Sequence, residues 1–243
     1  MISRTAGLIE IGATEEVHTD AMRCLAGMCN FMTTSYSPSS LQSFAYRVNT
    51  SSGELVSKTP VKGDCAHLHE DYSTNHLYTL CTDTSSGRNT VIVWEVAGPI
   101  PEAVLDITAV VKNGRTRPGQ TTHCSAFHSM YVGVDLGGNG QDLIITVDLP
   151  SAKVASTTTL EDPLWKTLWA RCDGSNEIGG ISWAPGSSRA DAGIAFFGTL
   201  DTTNGKFQNL LNISIPPGLE PSGLLTETET EQSVATFYSV RPE

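Results

Sequence analysis

Histidines and tryptophans are the side chains in this sequence whose types and spacing invite a chemical reading. His67 and His69 stand two apart and are followed at once by Glu70, with His123 and His128 further along. On a β-strand, residues two apart point to the same face. If His67 and His69 lie on one inner strand and His123 on the equivalent strand of a neighbouring repeat, three imidazoles would converge, with Glu70 beside them. Such a set would hold zinc or another divalent transition metal. The competing reading is structural: these imidazoles hydrogen-bond backbone groups or sit in loops, because no short ligand motif is complete. The expectation is no cofactor, with a divalent metal on His67, His69 and His123 as the alternative.

Aromatic residues carry the second candidate. The stretch Pro163-Leu164-Trp165-Lys166-Thr167-Leu168-Trp169 interrupts the pattern of the chain, and Arg171 and Trp183 follow it. Tryptophan and arginine are the residues most enriched among binding anchors. Trp165, Trp169, Arg171 and Trp183 are therefore the candidate ligand-binding set. Trp94, within Val91-Ile92-Val93-Trp94, is expected in the core instead. Other chemistries find less. Asp135, Asn139 and Asp142 bracket a glycine-rich turn but lack the order of a calcium loop, and a plain hairpin turn accounts for them. There is no G-x-S-x-G elbow, so no catalytic serine is assigned. Gly137-Gly138-Asn139-Gly140 leads into a strand rather than a helix, so it is not a phosphate loop.

The chain has 243 residues, 39% hydrophobic and 17% charged, which suits a folded body with a sizeable core. Its net charge of −11 opposes attraction to nucleic acid or anionic lipid, and neither is expected as a partner. No stretch approaches the ~20 apolar residues of a spanning helix. The first residues lack the apolar core of a signal peptide as they stand. Six cysteines, at 24, 29, 65, 81, 124 and 172, form no C-x-x-C pair. A Cys24–Cys29 bridge is geometrically possible across a hairpin, whereas Cys65 and Cys124 are expected to pack as small buried thiols. With the sequons Asn49-Thr50-Ser51 and Asn212-Ile213-Ser214, the cysteines lean toward an extracellular or secretory setting.

The element that must position these residues is a repeated hairpin. Four pairs of short β-type runs can be read, each joined by a turn rich in Gly, Asn, Ser or Asp: 30–34 with 44–48, 76–81 with 91–96, 130–134 with 143–147, and 192–197 with 210–215. A further strand follows each pair, around Leu55, Leu105, Val154 and Leu224, and a short run precedes it, such as Cys65–His69 or Gly180–Trp183. The last apolar residues of the second runs, Val48, Val96, Val147 and Ile215, are 48, 51 and 68 residues apart. Units of about 40–50 residues with four strands are propeller-like. The long step is assigned to an insertion between Glu161 and Ala192, where binding is expected to centre.

Tyr46-Arg47-Val48-Asn49-Thr50-Ser51-Ser52-Gly53-Glu54-Leu55-Val56 resembles the strand–turn–strand core of YVTN-type and quinoprotein-type propeller repeats, and Ile145–Val154 repeats it without the glycine. The resemblance implies an all-β fold, a β-propeller of four or five four-stranded blades. It is expected as one domain over residues 1–243, with repeats at approximately 17–62, 63–111, 121–160 and 168–231 and with strands 8–11 and 236–240 pairing to close the ring. No activity transfers with a fold. The functional expectation leans away from an enzyme and toward a binding or scaffold propeller that recognises a protein or carbohydrate ligand through its loops. The alternative is a metal-dependent propeller hydrolase or lactonase.

Overall fold

Strands dominate because the runs between turns are rich in β-branched and aromatic residues, which fit a pleated, half-buried surface. The computed structural model describes residues 15–25, 27–37, 40–65, 68–71, 74–101, 104–111, 114–124, 127–136, 141–161, 168–172, 177–184, 193–217, 219–226 and 233–239. The chain divides into two units, Met1–Lys112 and Asn113–Glu243.

In the first unit, β1 (Glu15–Leu25), β2 (Met28–Ser37), β3 (Ser40–Asn49) and β4 (Leu55–Lys62) form an antiparallel sheet in chain order. Its central hairpin buries both faces. Phe31 and Tyr46, directly opposed across β2 and β3, stack with ring centroids 4.8 Å apart. The Lys58 ammonium of β4 lies 4.3 Å from the centre of the Phe44 ring, a cation–π contact that covers the outer aromatic face. The opposite face, with Met32 and Ala45, enters the main core. A second sheet follows: β5 (His69–Asp71), β6 (His76–Asp83), β7 (Arg88–Glu95) and β8 (Leu105–Asp106), again in chain order and succeeded by the short helix α1 (Thr108–Val111). Leu77, Cys81, Ile92, Trp94 and Val96 of this region pack with Met32, Ala45, Val61, Cys65 and Leu68 into one buried cluster.

The first part of the connection between these sheets, residues 63–65, is clamped at each residue. Ser43 N–H donates to Gly63 O at 3.1 Å, and Asp64 exchanges two backbone hydrogen bonds with Thr82, at 2.8 and 2.9 Å. Cys65 N–H donates to the Ser43 hydroxyl, and Cys65 is disulfide-bonded to Cys81. Gly63 has φ +96°, and a Cβ there would stand 2.8 Å from the Thr82 carbonyl, so only glycine fits.

The second unit contains two further four-stranded sheets. One runs β12-β11-β10-β9 from β9 (Arg115–Cys124), β10 (Ser129–Asp135), β11 (Leu143–Asp148) and β12 (Lys153–Thr159). The other runs β13-β14-β15-β16 from β13 (Leu168–Cys172), β14 (Glu177–Ala184), β15 (Gly193–Asp201) and β16 (Phe207–Ile215). A two-stranded sheet pairs β17 (Leu219–Thr226) with β18 (Ser233–Ser239). Cys124, Tyr131, Ile144, Leu160, Ile178 and Leu200 form the core, with Phe207 packed against it. The β15–β16 turn docks on the end of β12: Glu161 N–H donates to Gly205 O at 3.0 Å, and a Cβ on Gly205 would meet Thr159 O at 2.0 Å.

The fourth sheet differs from the sequence reading. In the first three sheets the recognisable hairpin supplies strands two and three, whereas β15–β16 supplies strands three and four. The run around Gly180–Trp183 is part of an eight-residue strand paired along its whole length with β15, from Glu177↔Asp201 to Ala184↔Ile194, and β13 precedes it. Among its described residues the segment 161–192 thus holds two strands, and Leu224 belongs to β17 rather than to this sheet. Taken at their third strands, which end at Asn49, Glu95, Asp148 and Asp201, the sheets recur every 46, 53 and 53 residues. The long step came from comparing third strands with a fourth. As for the ends, residues 8–11 lie outside the described residues, and Thr236–Ser239 pair with β17.

Candidate functional site

Five of the seven predicted site residues have an address in this framework. His69 lies on β5 opposite Tyr78, and His123 on β9 opposite Met130. Both are therefore on the first strand of a sheet. His67 lies outside the described residues, as do the side chains of Glu70 and His123. Among the described residues no group of three or more His, Cys, Asp or Glu is placed to hold a metal ion. Of the aromatic set, Trp165 lies outside the described residues. Trp169 and Arg171 are on β13, paired with Gly180 and Gly179 across an irregularity in register, and Trp183 is on β14 opposite Ala195. Three residues expected in an insertion are thus strand residues of the fourth sheet. Trp94 is buried, as its Val-rich strand predicted.

The described carboxylates with displaced titration are turn caps. Asp83 ends β6 and accepts hydrogen bonds from the Ser85 hydroxyl at 2.6 Å, the Ser86 hydroxyl at 2.6 Å and the Ser85 N–H at 3.0 Å. Lys62 Nζ stands 3.0 Å away. The two serine hydroxyls, then Lys62, hold the Asp83 carboxyl well below its usual range. Asp106 is lowered by the Thr108 hydroxyl and amide and by Arg88, and Asp201 by the Thr203 hydroxyl and amide. Asp142, part of the suspected calcium loop, accepts from Leu136 N–H at 3.0 Å, as a hairpin turn requires. In the opposite direction, burial pushes the Tyr78 phenol up to about 12.

A polar feature the sequence did not announce lies within the first unit. Arg47, 6% exposed, donates Nε–H to Asn30 Oδ1 at 3.2 Å across β2 and β3. Burial lowers its pKa. Its Nη2, Asn30 Nδ2 and Trp94 Nε1 are buried N–H donors without a hydrogen-bond partner among the described residues. Tyr46-Arg47-Val48 reads as an alternating strand in which arginine would face water. Only the second sheet, packed over that face, buries it.

Cysteine chemistry corrects one expectation. Cys24 and Cys29 are directly opposed on β1 and β2 and are disulfide-bonded. Cys65, expected as a buried thiol, is bonded to Cys81, because the Asp64↔Thr82 bridge brings their Cα atoms to 4.3 Å. Cys124, expected likewise, is also disulfide-bonded. Disulfides form and persist in oxidising compartments, which agrees with an extracellular or secreted setting. No helix among the described residues is long and apolar enough to cross a membrane.

Four-stranded antiparallel sheets recurring at a near-constant interval define a class of fold, the β-propeller. One solved structure carries the same assignment, and two others are similar chains. The β-propeller domain of the Trilobed protease from Pyrococcus furiosus, described as having an open velcro topology, is 8% identical, with a TM-score of 0.52 over 96% of this chain and 71% of that one. The exo-β-1,3-galactanase from Phanerochaete chrysosporium is 11% identical, with a TM-score of 0.49 over 84% of this chain and 51% of that one. The α-L-arabinofuranosidase from Podospora anserina is 11% identical, with a TM-score of 0.47 over 86% of this chain and 71% of that one. No protein family matches the sequence, and no curated protein matches it. The chain is all-β and has the β-propeller fold, with its four-stranded antiparallel sheets as blades.

Proposed function

We propose that this chain is a non-enzymatic binding or scaffold propeller that recognises a protein or carbohydrate ligand in an extracellular or secretory setting. The observation that supports this most is the use made of its acids. Asp83, Asp106 and Asp201 all have lowered pKa values because turn hydroxyls and amides hydrogen-bond the charged form. A general acid needs the reverse, a carboxyl raised toward neutrality by burial. Carboxylates committed to turns fix the hairpins and leave recognition to loops and to aromatic anchors. Trp165, Trp169, Arg171 and Trp183 are the proposed anchors, the last three on strands β13 and β14 of the fourth sheet. The test is Trp165→Ala with Trp169→Ala, read by fluorescence titration against neutral oligosaccharides and by selection from a displayed peptide library. Weakened binding with an unchanged melting curve supports the role. A stability loss of about 3–5 kcal/mol, the cost of truncating a core tryptophan, rejects it.

The second reading, a metal-dependent hydrolase, has one observation in its favour: His69 and His123 both stand on first strands of their sheets. Zinc titrated into the chelator-treated protein separates the two readings. Stoichiometric uptake that His69→Ala and His123→Ala abolish would favour the hydrolase.

A further inference from the structure

We propose that Asn212 is an N-glycosylation site whose glycan covers an otherwise unguarded apolar sheet edge. Strand β16 is the last strand of the fourth sheet and pairs only with β15 among the described residues. Every side chain from Gln208 to Ser214 is exposed. Leu210 is 65% exposed, Leu211 55% and Ile213 41%, and Ile194 on β15 adds 45%. An exposed apolar edge is a template for another strand, and proteins blunt such edges with charges or proline. Phe-Gln-Asn-Leu-Leu-Asn-Ile-Ser-Ile contains neither, and its uncharged, β-prone composition is that of a strand that self-associates. What this edge does carry, at its centre, is the sequon Asn212-Ile213-Ser214.

The local geometry suits modification. Asn209 Nδ2 donates to Asn212 Oδ1 at 2.5 Å, which leaves the Asn212 Nδ2 free to react. Asn212 lies opposite half-buried Phe196, and Ser214 opposite exposed Ile194. A sugar on Asn212 would therefore rest its apolar face over Phe196 and Ile194 while its hydroxyls keep another strand off the edge. The other sequon is differently engaged. Asn49 Oδ1 accepts from the N–H groups of Ser51 and Ser52 to form a turn, and the Thr50 hydroxyl donates to Gly27 O.

In the reaction, Asn212 Nδ2 displaces the lipid pyrophosphate from the anomeric carbon of a lipid-pyrophosphate-linked oligosaccharide. The N-glycosidic bond forms, the carbon–oxygen bond to pyrophosphate breaks, and the amide gives up one proton. No oxidation or reduction is involved. The proposal shares with the proposed function only its secretory setting, which the disulfides support, and it holds whether or not a ligand binds the loops.

The test is to secrete the full chain from a eukaryotic host and map the peptide containing Asn212 before and after enzymatic removal of N-glycans. The expected result is glycan at Asn212, lost in both Asn212→Gln and Ser214→Ala. Those two variants should shift from monomer to oligomer in size-exclusion chromatography, and adding Leu211→Lys should restore the monomer. Unmodified Asn212 in secreted, disulfide-bonded protein overturns the proposal. So does glycosylated Asn212 whose removal leaves the protein monomeric at the same concentration. Protein made unglycosylated in bacteria and refolded gives an independent reading: it should self-associate, and the Leu211→Lys form should not.

Discussion

Breaking the Cys65–Cys81 bridge should loosen the strap between the first two sheets by an amount that loop length sets. The bridge closes a loop of 16 residues. In the chain-entropy model a loop of this size restricts the unfolded ensemble by about 3 kcal/mol at 25 °C. For a chain of about 150–250 residues, at ~2–4 °C per kcal/mol, that corresponds to a Tm lowered by roughly 6–12 °C. Cys65→Ala, Cys81→Ala and the double variant all open the same loop, so their losses should agree to within about 1 kcal/mol rather than add. Urea denaturation measures all three. Amide exchange reports the local consequence, since Asp64 and Thr82 donate to each other across the bridge beside the disulfide and their protection should fall first. The reasoning fails if the double variant loses less than ~1 kcal/mol, because the backbone clamp alone would then hold the strap. It fails equally if the two single losses sum to the double.

Two further perturbations test the electrostatic reading. Asp83 has a folded pKa below its unfolded value, so its contribution is fully present above the ordinary carboxyl pKa of about 4 and is lost as pH falls from there toward the lower folded value. Asp83→Asn should therefore flatten the acid limb of the stability profile between pH ~4 and ~2; an unchanged limb would refute the turn-cap assignment. Replacing the buried Arg47 and Asn30 together by Met and Leu removes a charge that has no carboxylate partner among the described residues, and the urea midpoint should stay level or rise by the equivalent of ~1–4 kcal/mol. A loss greater than about 2 kcal/mol would mean that an acceptor bound in solution satisfies those donors.

The hairpins were legible in the sequence because their signals are local. The apolar, β-branched and aromatic runs Leu77–Cys81 and Val91–Trp94 mark strands, and Asp83-Thr84-Ser85-Ser86-Gly87 marks the turn, since an aspartate two residues before a serine caps its amide wherever the chain lies. The same locality explains the error in the fourth sheet. A hairpin looks identical as strands two and three or as strands three and four. Only long-range pairing of Glu177–Ala184 with β15 decides between them, and the two glycines in that strand weaken its apolar pattern.

The candidate site was less legible for a related reason. Residue type and spacing identified His69, Trp169, Arg171 and Trp183 as capable of chemistry. Register alone put the last three on strands β13 and β14 instead of in an insertion. Likewise the count of cysteines was plain, but the Cys65–Cys81 pairing depends on the Asp64↔Thr82 bridge, a contact between residues 18 apart that no local pattern encodes. Arg47 and Asn30 read as ordinary polar positions, and only the second sheet packed over their face makes them buried donors. By itself, the sequence determined strand content, turn positions and an oxidisable cysteine set, because propensity and turn chemistry act over a few residues. The tertiary structure decided strand order, disulfide partners and which polar groups lose water, because these depend on surfaces brought together from distant parts of the chain.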